Sequence, residues 1–186
     1  MVTIRENTKK LKELILYISQ KCASDPNFGA TKLNKILYFS DFASFAYYGK
    51  PITGAEYQKL EQGPAPRLMI PVRGEMIRAG ELGIQEMPVG SYVQQRPVNL
   101  RSPELEVFTA REISLVDAVI EALSGHTAKA ASDLSHKMSG WKLAALKETI
   151  PYSAIFLCDD QKLTESDISR GQEIAREHGL LASPKI

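Results

Sequence analysis

Few residues of this chain have the type and spacing that chemistry demands. His126, His136 and His178 do not stand at metal-ligand spacing with one another or with a cysteine. Cys22 and Cys158 lie far apart, which gives neither a metal knuckle nor a disulfide framework and suits a reducing compartment. Asp159-Asp160 is an adjacent acid pair, but before Gln161-Lys162 it has the composition of a solvated turn. There is no Walker loop, no dinucleotide glycine fingerprint, no His-Glu-x-x-His and no Gly-x-Ser-x-Gly elbow. The residues therefore offer no catalytic set, no metal site and no cofactor site. Two features offer binding instead. The turn Gly63–Arg67, GPAPR, either presents Arg67 to an anion or acidic partner or merely aims the next helix. Tyr38, Phe39, Phe42, Phe45, Tyr47, Tyr48 and Tyr57 form either core or the wall of a pocket, in which Tyr38, Asp41 and Tyr57 would meet a ligand.

Most of these residues sit on or beside one stretch, residues 32–48, KLNKILYFSDFASFAYY. It has no proline or glycine. Leu33, Ile36, Leu37, Ala43 and Tyr47 recur at helical spacing, and Tyr38, Phe39, Phe42, Phe45 and Ala46 cover most of the remaining faces. A helix apolar nearly all round is buried on several sides. Thr31 is placed to cap it, Gly49 to end it in a left-handed turn, and Pro51 to block its continuation. Asp41, in the middle, must find a partner or reach water.

The elements around this helix follow from local pattern. Residues 6–22 predict a helix capped by Asn7 or Thr8, with Leu11, Leu14, Ile15, Ile18 and Cys22 inward and Lys9, Lys10, Lys12 and Glu13 solvated. Glu56–Gln62 has the look of a short strand or an irregular segment, and 67–79 of a helix starting near Pro71. Residues 84–87 and 92–98 predict a β-hairpin joined through Pro88–Ser91, its second strand kept to an edge by Pro97. Thr109 and Glu112 form a capping box before a helix ending at Gly125, with Ile113, Val116, Val119, Ile120 and Leu123 as its stripe. Thr127 caps a short helix, Ser139-Gly140 breaks the chain before a helical piece at 141–146, and 151–157 reads as an apolar linker. Thr164 caps a last helix, about 164–178, with Ile168, Ile174 and Ala175 inward. The expectation is a mainly α protein with a small β-hairpin (α+β), folded as one globular domain over 1–186 around the buried helix 32–48.

Composition narrows the function classes. The 186 residues are 44% hydrophobic and 24% charged, ordinary for a water-soluble domain, with a net charge of +1. The charged N-terminal stretch lacks the pattern of a signal peptide, and no apolar run is long enough to span a bilayer, so a cytoplasmic protein is expected. Residues 111–150 imitate a helix-turn-helix, but five Lys/Arg face five Asp/Glu there, without the basic stripe that phosphates require. Residues 1–73 carry eleven Lys/Arg against six Asp/Glu, a mild excess that suits DNA or an acidic protein.

The run KLNKILYFSDFASFAYYGKPITGAEYQKLEQGPAPR at 32–67 resembles the signature of the Panacea antitoxin domain, the SocA-like and phage-associated GepA-like group. The match lies on Lys32, Leu33, Lys35, Leu37, Tyr38, Phe39 and Asp41 of the helix. It continues through Tyr48, Gly49, Pro51, Thr53 and Gly54 of the following turn, then Tyr57, Gly63, Pro64 and Pro66. Leu134, Ser135, His136 and Trp141 resemble the family's second element. The two blocks frame about 10–150. The resemblance implies a mostly helical interaction module without enzymatic activity or cofactor, which binds and neutralises a cognate toxin, encoded next to it in such systems. In one branch it implies a proteolytic adaptor that delivers the toxin to a Clp-type protease. The alternative is a DNA-binding regulator of phage or toxin–antitoxin origin; no further DNA-binding domain is visible in the chain. The expected partner surface is the exposed edge of the 84–98 hairpin with the GPAPR turn, represented by Gln95 and Arg67, because an unpaired strand edge can accept a partner strand.

Overall fold

Asn7 accepts the amide of Lys10 on its side chain at 3.0 Å and opens α1, Thr8–Lys21. The computed structural model describes residues 4–89, 92–157 and 164–177. Five consecutive apolar residues, Leu14–Ile18, leave α1 little polar face, and all five are buried. That is why Glu13, expected in solvent, is only 2% exposed. Its two carboxylate oxygens receive the Arg101 guanidinium at 2.6 and 2.8 Å, and one also receives the Glu104 amide. Lys9, Lys10 and Lys12 do reach the surface or its margin, each in an ion pair.

The central helix α2 is Ala30–Tyr48. It starts earlier than expected: Gly29 is the cap residue and makes no side-chain bond, while Thr31 lies inside the helix and donates to Gln62 Oε1. At its end Gly49 takes φ +69°, the left-handed conformation a side chain resists, and its amide closes on Phe45 O. Tyr38 and Phe42 are buried with Tyr57 and Tyr152 in one group of edge-on and tilted rings. The stripe fails only at the last turn. Helix α2 outruns its neighbours there, and Tyr47 is 74% exposed.

Three small assemblies surround α2. Strand β1 (Tyr57–Gln58) runs antiparallel between β2 (Ala65–Pro66) and β5 (Thr149–Ile150), pairing Tyr57 with both Pro66 and Ile150. The short strand expected near residue 56 is present; its partners are too short to show a pattern in sequence. Helix α3, Met69–Arg78, begins two residues before Pro71, which sits in its first turn. The hairpin is β3 (Leu82–Val89) with β4 (Tyr92–Asn99), and Pro88 lies in the ladder opposite Val93, not in the turn. Strand β4 packs across α1, and its Arg96 donates to Cys22 O and Ala23 O.

The last assembly is helical. Helix α4 (Ala110–Ala122) has the capping box of Thr109 and Glu112, and α5 (Ala128–His136) has Thr127 as its cap. Both pack on α2. The expected break at Ser139-Gly140 is instead the start of α6, Ser139–Leu143. Gly140 serves close packing: a Cβ there would stand 2.8 Å from both the Ala154 Cβ and the Ile150 Cγ2. The expected linker after Pro151 is a 3-10 turn, Tyr152–Phe156, whose Tyr152 is buried and donates to Ala55 O at 2.7 Å. Helix α7 is Glu165–Glu177, with Ile168 and Ile174 each about half exposed, not inward. Cys158, Asp159, Asp160 and His178 lie outside the described residues. The architecture is α+β, mainly helical, with two small antiparallel sheets among the described residues.

Candidate functional site

Three ionisable side chains of α2 are all but fully buried, Lys32 and Lys35 at 1% exposure and Asp41 at 0%. A buried charge without a partner is too costly to persist, so each must be tied down. Each ties a different segment to the helix. Lys32 Nζ donates to Asp25 Oδ2 at 2.6 Å and to His126 O at 2.8 Å, joining the loops before α2 and before α5. Lys35 Nζ donates to Pro64 O at 3.0 Å and holds the GPAPR turn. Asp41 accepts the Thr53 amide at 2.7 Å, the Thr53 hydroxyl, and the Tyr57 hydroxyl at 2.9 Å, which fixes the 49–57 turn. The spacing of the polar positions in the KLNKILYFSD run thus follows the segments around α2.

The protonation of these groups follows from burial. Burial pushes the Asp41 carboxyl up, against the Thr53 and Tyr57 hydrogen bonds that favour its anion. Lys35 donates to Pro64 O and has no carboxylate partner among the described residues, and burial brings it down from an ordinary 10.5 to about 7. The sign of the linkage is clear. Between about 7 and 10.5 the unfolded chain holds the Lys35 proton and the folded chain has released it, so stability rises with pH in that window. The expected slope from this group reaches about 1.4 kcal/mol per pH unit. Urea titrations from neutral to alkaline pH check it: the rise disappears in Lys35→Met if Lys35 carries it.

Gly63 packs directly against this lysine. Its φ is +94°, and a Cβ there would stand 2.6 Å from Lys35 Cε and 2.8 Å from Lys35 Nζ, and would meet Ser135 Oγ. The prolines and glycine of GPAPR therefore set a turn onto Lys35 and Ser135. Ser135 is fully buried and donates to Ser132 O. Arg67, at the end of the turn, is engaged within the chain: it pairs with Glu56 at 2.8 Å and donates to Thr149 Oγ1 and Lys147 O.

Leu134, His136 and Trp141 complete the second motif. The His136 and Trp141 rings stack at 3.9 Å, Lys59 Nζ lies 4.2 Å above the Trp141 ring, and Trp141 Nε1 donates to Leu60 O. Burial, with Lys35 nearby, lowers the His136 pKa. Leu33, Leu37, Tyr38, Thr53, Gly54, Tyr57, Pro64 and Pro66 are buried, and Phe39 and Leu134 partly so. Pro51 is half-buried, whereas Tyr48 and Gly49 are exposed, with Arg111 over the Tyr48 ring. The motif is thus chiefly the frame of the fold. Tyr38, Asp41 and Tyr57 are at most 1% exposed and do not line an open pocket.

What the frame leaves open is a groove of about 840 Å³. Its walls are the start of α2 at Gly29–Asn34, the β4 segment Tyr92–Gln95, and the outer side of α5 from Ala128 to His136. Gln95 lies on this wall and Arg67 does not. Gln94 anchors β4 here: its side chain is buried against Gly29, where a Cβ would come 2.8 Å from Gln94 Cγ. The contribution of α5 and of Gln94 is not marked by any sequence pattern.

Most of the basic residues of 1–73 are engaged within the fold. Lys9, Lys10, Lys12, Lys21, Lys32 and Arg67 are ion-paired, and Lys35 is buried. Cys22 is buried, and burial pushes its thiol up to about 11, away from the reactive range. No three His, Cys, Asp or Glu side chains gather as metal ligands among the described residues, and no helix there is long and apolar enough to cross a membrane.

No curated protein and no solved structure matches the chain at a significant level. The family model described as antitoxin SocA-like, Panacea domain, matches residues 33–142, which run from α2 to α6 and take in the ties of Lys35 and Asp41, the hairpin and the His136–Trp141 stack. With more than half of its length matched, this chain belongs to the SocA-like Panacea antitoxin family.

Proposed function

We propose that this chain is a cytoplasmic, non-enzymatic interaction module that binds one toxin protein, encoded beside it, and neutralises it by direct contact. The observation that carries this reading is the family match across 33–142. The structure supports it indirectly. The ionisable motif residues Lys32, Lys35 and Asp41 are spent on internal ties, and the exposed surface is left for a partner. The adaptor role, in which the complex is passed to a Clp-type protease, is a further step of the same proposal. The DNA-binding alternative is disfavoured by the pairing or burial of seven of the eleven basic residues in 1–73.

The proposed partner surface includes Gln95 on the hairpin and Arg67 at the GPAPR turn. Arg67 also ties Glu56 to Thr149, so its substitution lowers stability and binding together; Gln95, exposed, reports on binding alone. The test is co-expression with each neighbouring small open reading frame. One of them arrests growth alone and no longer does so beside this chain. Absence of rescue by any neighbour refutes the reading.

A further inference from the structure

Resting on the interaction-module reading, we infer that the groove between β4, the start of α2 and α5 takes an extended peptide segment of a partner protein, which adds as a strand to the outer edge of β4 at Val93 and Gln95.

The register identifies the edge. In an antiparallel pair, backbone groups face the neighbouring strand at alternate residue pairs and face away at the others. Proline has no N–H to give, so it fits where the backbone faces away. The hairpin has two such markers, Pro88 opposite Val93 and Pro97 opposite Ile84. They fall in the same phase, and the pair Glu86–Gln95 lies in that phase between them. The N–H and C=O groups of Val93 and Gln95 therefore point away from β3. Neither residue makes a backbone bond outside the hairpin among the described residues. These two residues also line the groove. On the other edge, Pro88 lacks a donor, and Glu86 puts a charge where strand addition is resisted.

The groove suits a peptide better than a nucleic acid or a compact ligand. Its volume, about 840 Å³, lies in the range of binding clefts, and its two long walls are a strand and a helix. Of its charged side chains, Lys129 and Asp133 pair with each other at 3.0 Å, which leaves Glu61 as the uncompensated one. Tyr92 and Val93 stand a little over half exposed at the mouth, at 57% and 59%. The occupant this chemistry fits is an extended segment with an apolar side chain over Tyr92 and Val93 and a basic one toward Glu61. Main-chain bonds then supply affinity and these side chains supply selectivity.

The test pans a phage-displayed library of random linear peptides against the whole protein and measures the selected peptides in solution by fluorescence anisotropy and amide NMR. Expected are peptides of the stated pattern that shift and protect the Val93 and Gln95 amides. Gln95→Ala keeps the N–H and retains more affinity than a substitution that removes it. Gln95→Pro, placed in the same phase as Pro97, loses affinity by about tenfold at an unchanged melting temperature. The inference is overturned if no peptide is selected, if the shifts map elsewhere, or if Gln95→Pro binds as well as the parent. Should Gln95→Pro melt early, a scan of the groove with Val93→N-methylvaline, made by semisynthesis, removes the neighbouring donor, and undiminished binding there overturns the inference equally. The growth-rescue assay judges the toxin reading separately: rescue without groove binding leaves that reading standing and removes only this surface.

Discussion

Replacing Asp41 by alanine is expected to lower the stability of this protein by about 3–5 kcal/mol. The carboxylate accepts the amide and hydroxyl of Thr53 and the hydroxyl of Tyr57, all within the buried interior. Alanine strands three donors where water does not reach. Each stranded polar group costs about 1–3 kcal/mol, and the vacated space adds a packing loss. Asp41→Asn keeps an acceptor for the Thr53 amide and is expected to fall between the parent and the alanine variant. Urea denaturation followed by far-ultraviolet circular dichroism measures both. Because Asp41 fixes the turn after α2, a loss of less than about 1 kcal/mol in Asp41→Ala would show that the 49–57 segment is held mainly by Ile52, Ala55 and Tyr57 packing.

The second large effect belongs to a pair that lies outside the family motif. Arg101→Ala removes the guanidinium from a carboxylate that is only 2% exposed, and a buried charge left without its partner costs about 3–5 kcal/mol. The pH dependence carries the sign. Burial pushes the Glu13 pKa up, but Arg101 and the Glu104 amide overcome it and hold it below its ordinary 4.5. A carboxylate with a depressed folded pKa contributes stability above its unfolded value and loses it as pH falls through the folded one. In Arg101→Ala burial, the Glu104 amide and the weaker pull of Lys9 remain, so the Glu13 pKa rises. The deficit against the parent is then largest near neutral pH and narrows as acid protonates Glu13. Paired denaturation curves at neutral and mildly acidic pH check this; a deficit that widens in acid contradicts it.

The two residues differ in how far the sequence revealed them. Asp41 stands alone in an apolar helix, so its need for a partner was evident, although neither Thr53 nor Tyr57 could be named as that partner. Lys9, Lys10 and Lys12 make Glu13 look like part of one charged face, which predicts it in solvent. The run Leu14–Ile18 was the contrary signal, since five apolar residues in succession leave no side of a helix wholly wet. Its partner Arg101 is 88 residues away, and such pairing has no local mark.

Helix positions with capping chemistry were legible: Asn7, the Thr109–Glu112 box, Thr127 and the left-handed Gly49. The hairpin was legible from its strand composition, although Pro88 proved to belong to the ladder. Of the small sheet, β1 falls within the expected strand at 56–62, but β2 and β5 leave no mark, because two residues show no alternation and the order β2-β1-β5 is set by tertiary contact. Gly140 shows how the same residue type misleads. Ser139-Gly140 predicts a helix break, yet Gly140 lies within α6, where the approach of Ile150 and Ala154 leaves no room for a side chain. The groove was half visible. Gln95 and the strand edge came from the hairpin pattern, while the opposite wall on α5 depends on how α5 packs against α2.

The most direct measurement is a tagged pull-down from the native host at mild salt, with the bound proteins identified and quantified by mass spectrometry. The account predicts one partner in stoichiometric amount, encoded beside this chain and toxic when expressed alone, with a Clp-type unfoldase recovered as well if the adaptor role holds. Recovery of no such partner, with the chain instead retained on its own promoter DNA in a salt-sensitive manner, would contradict it.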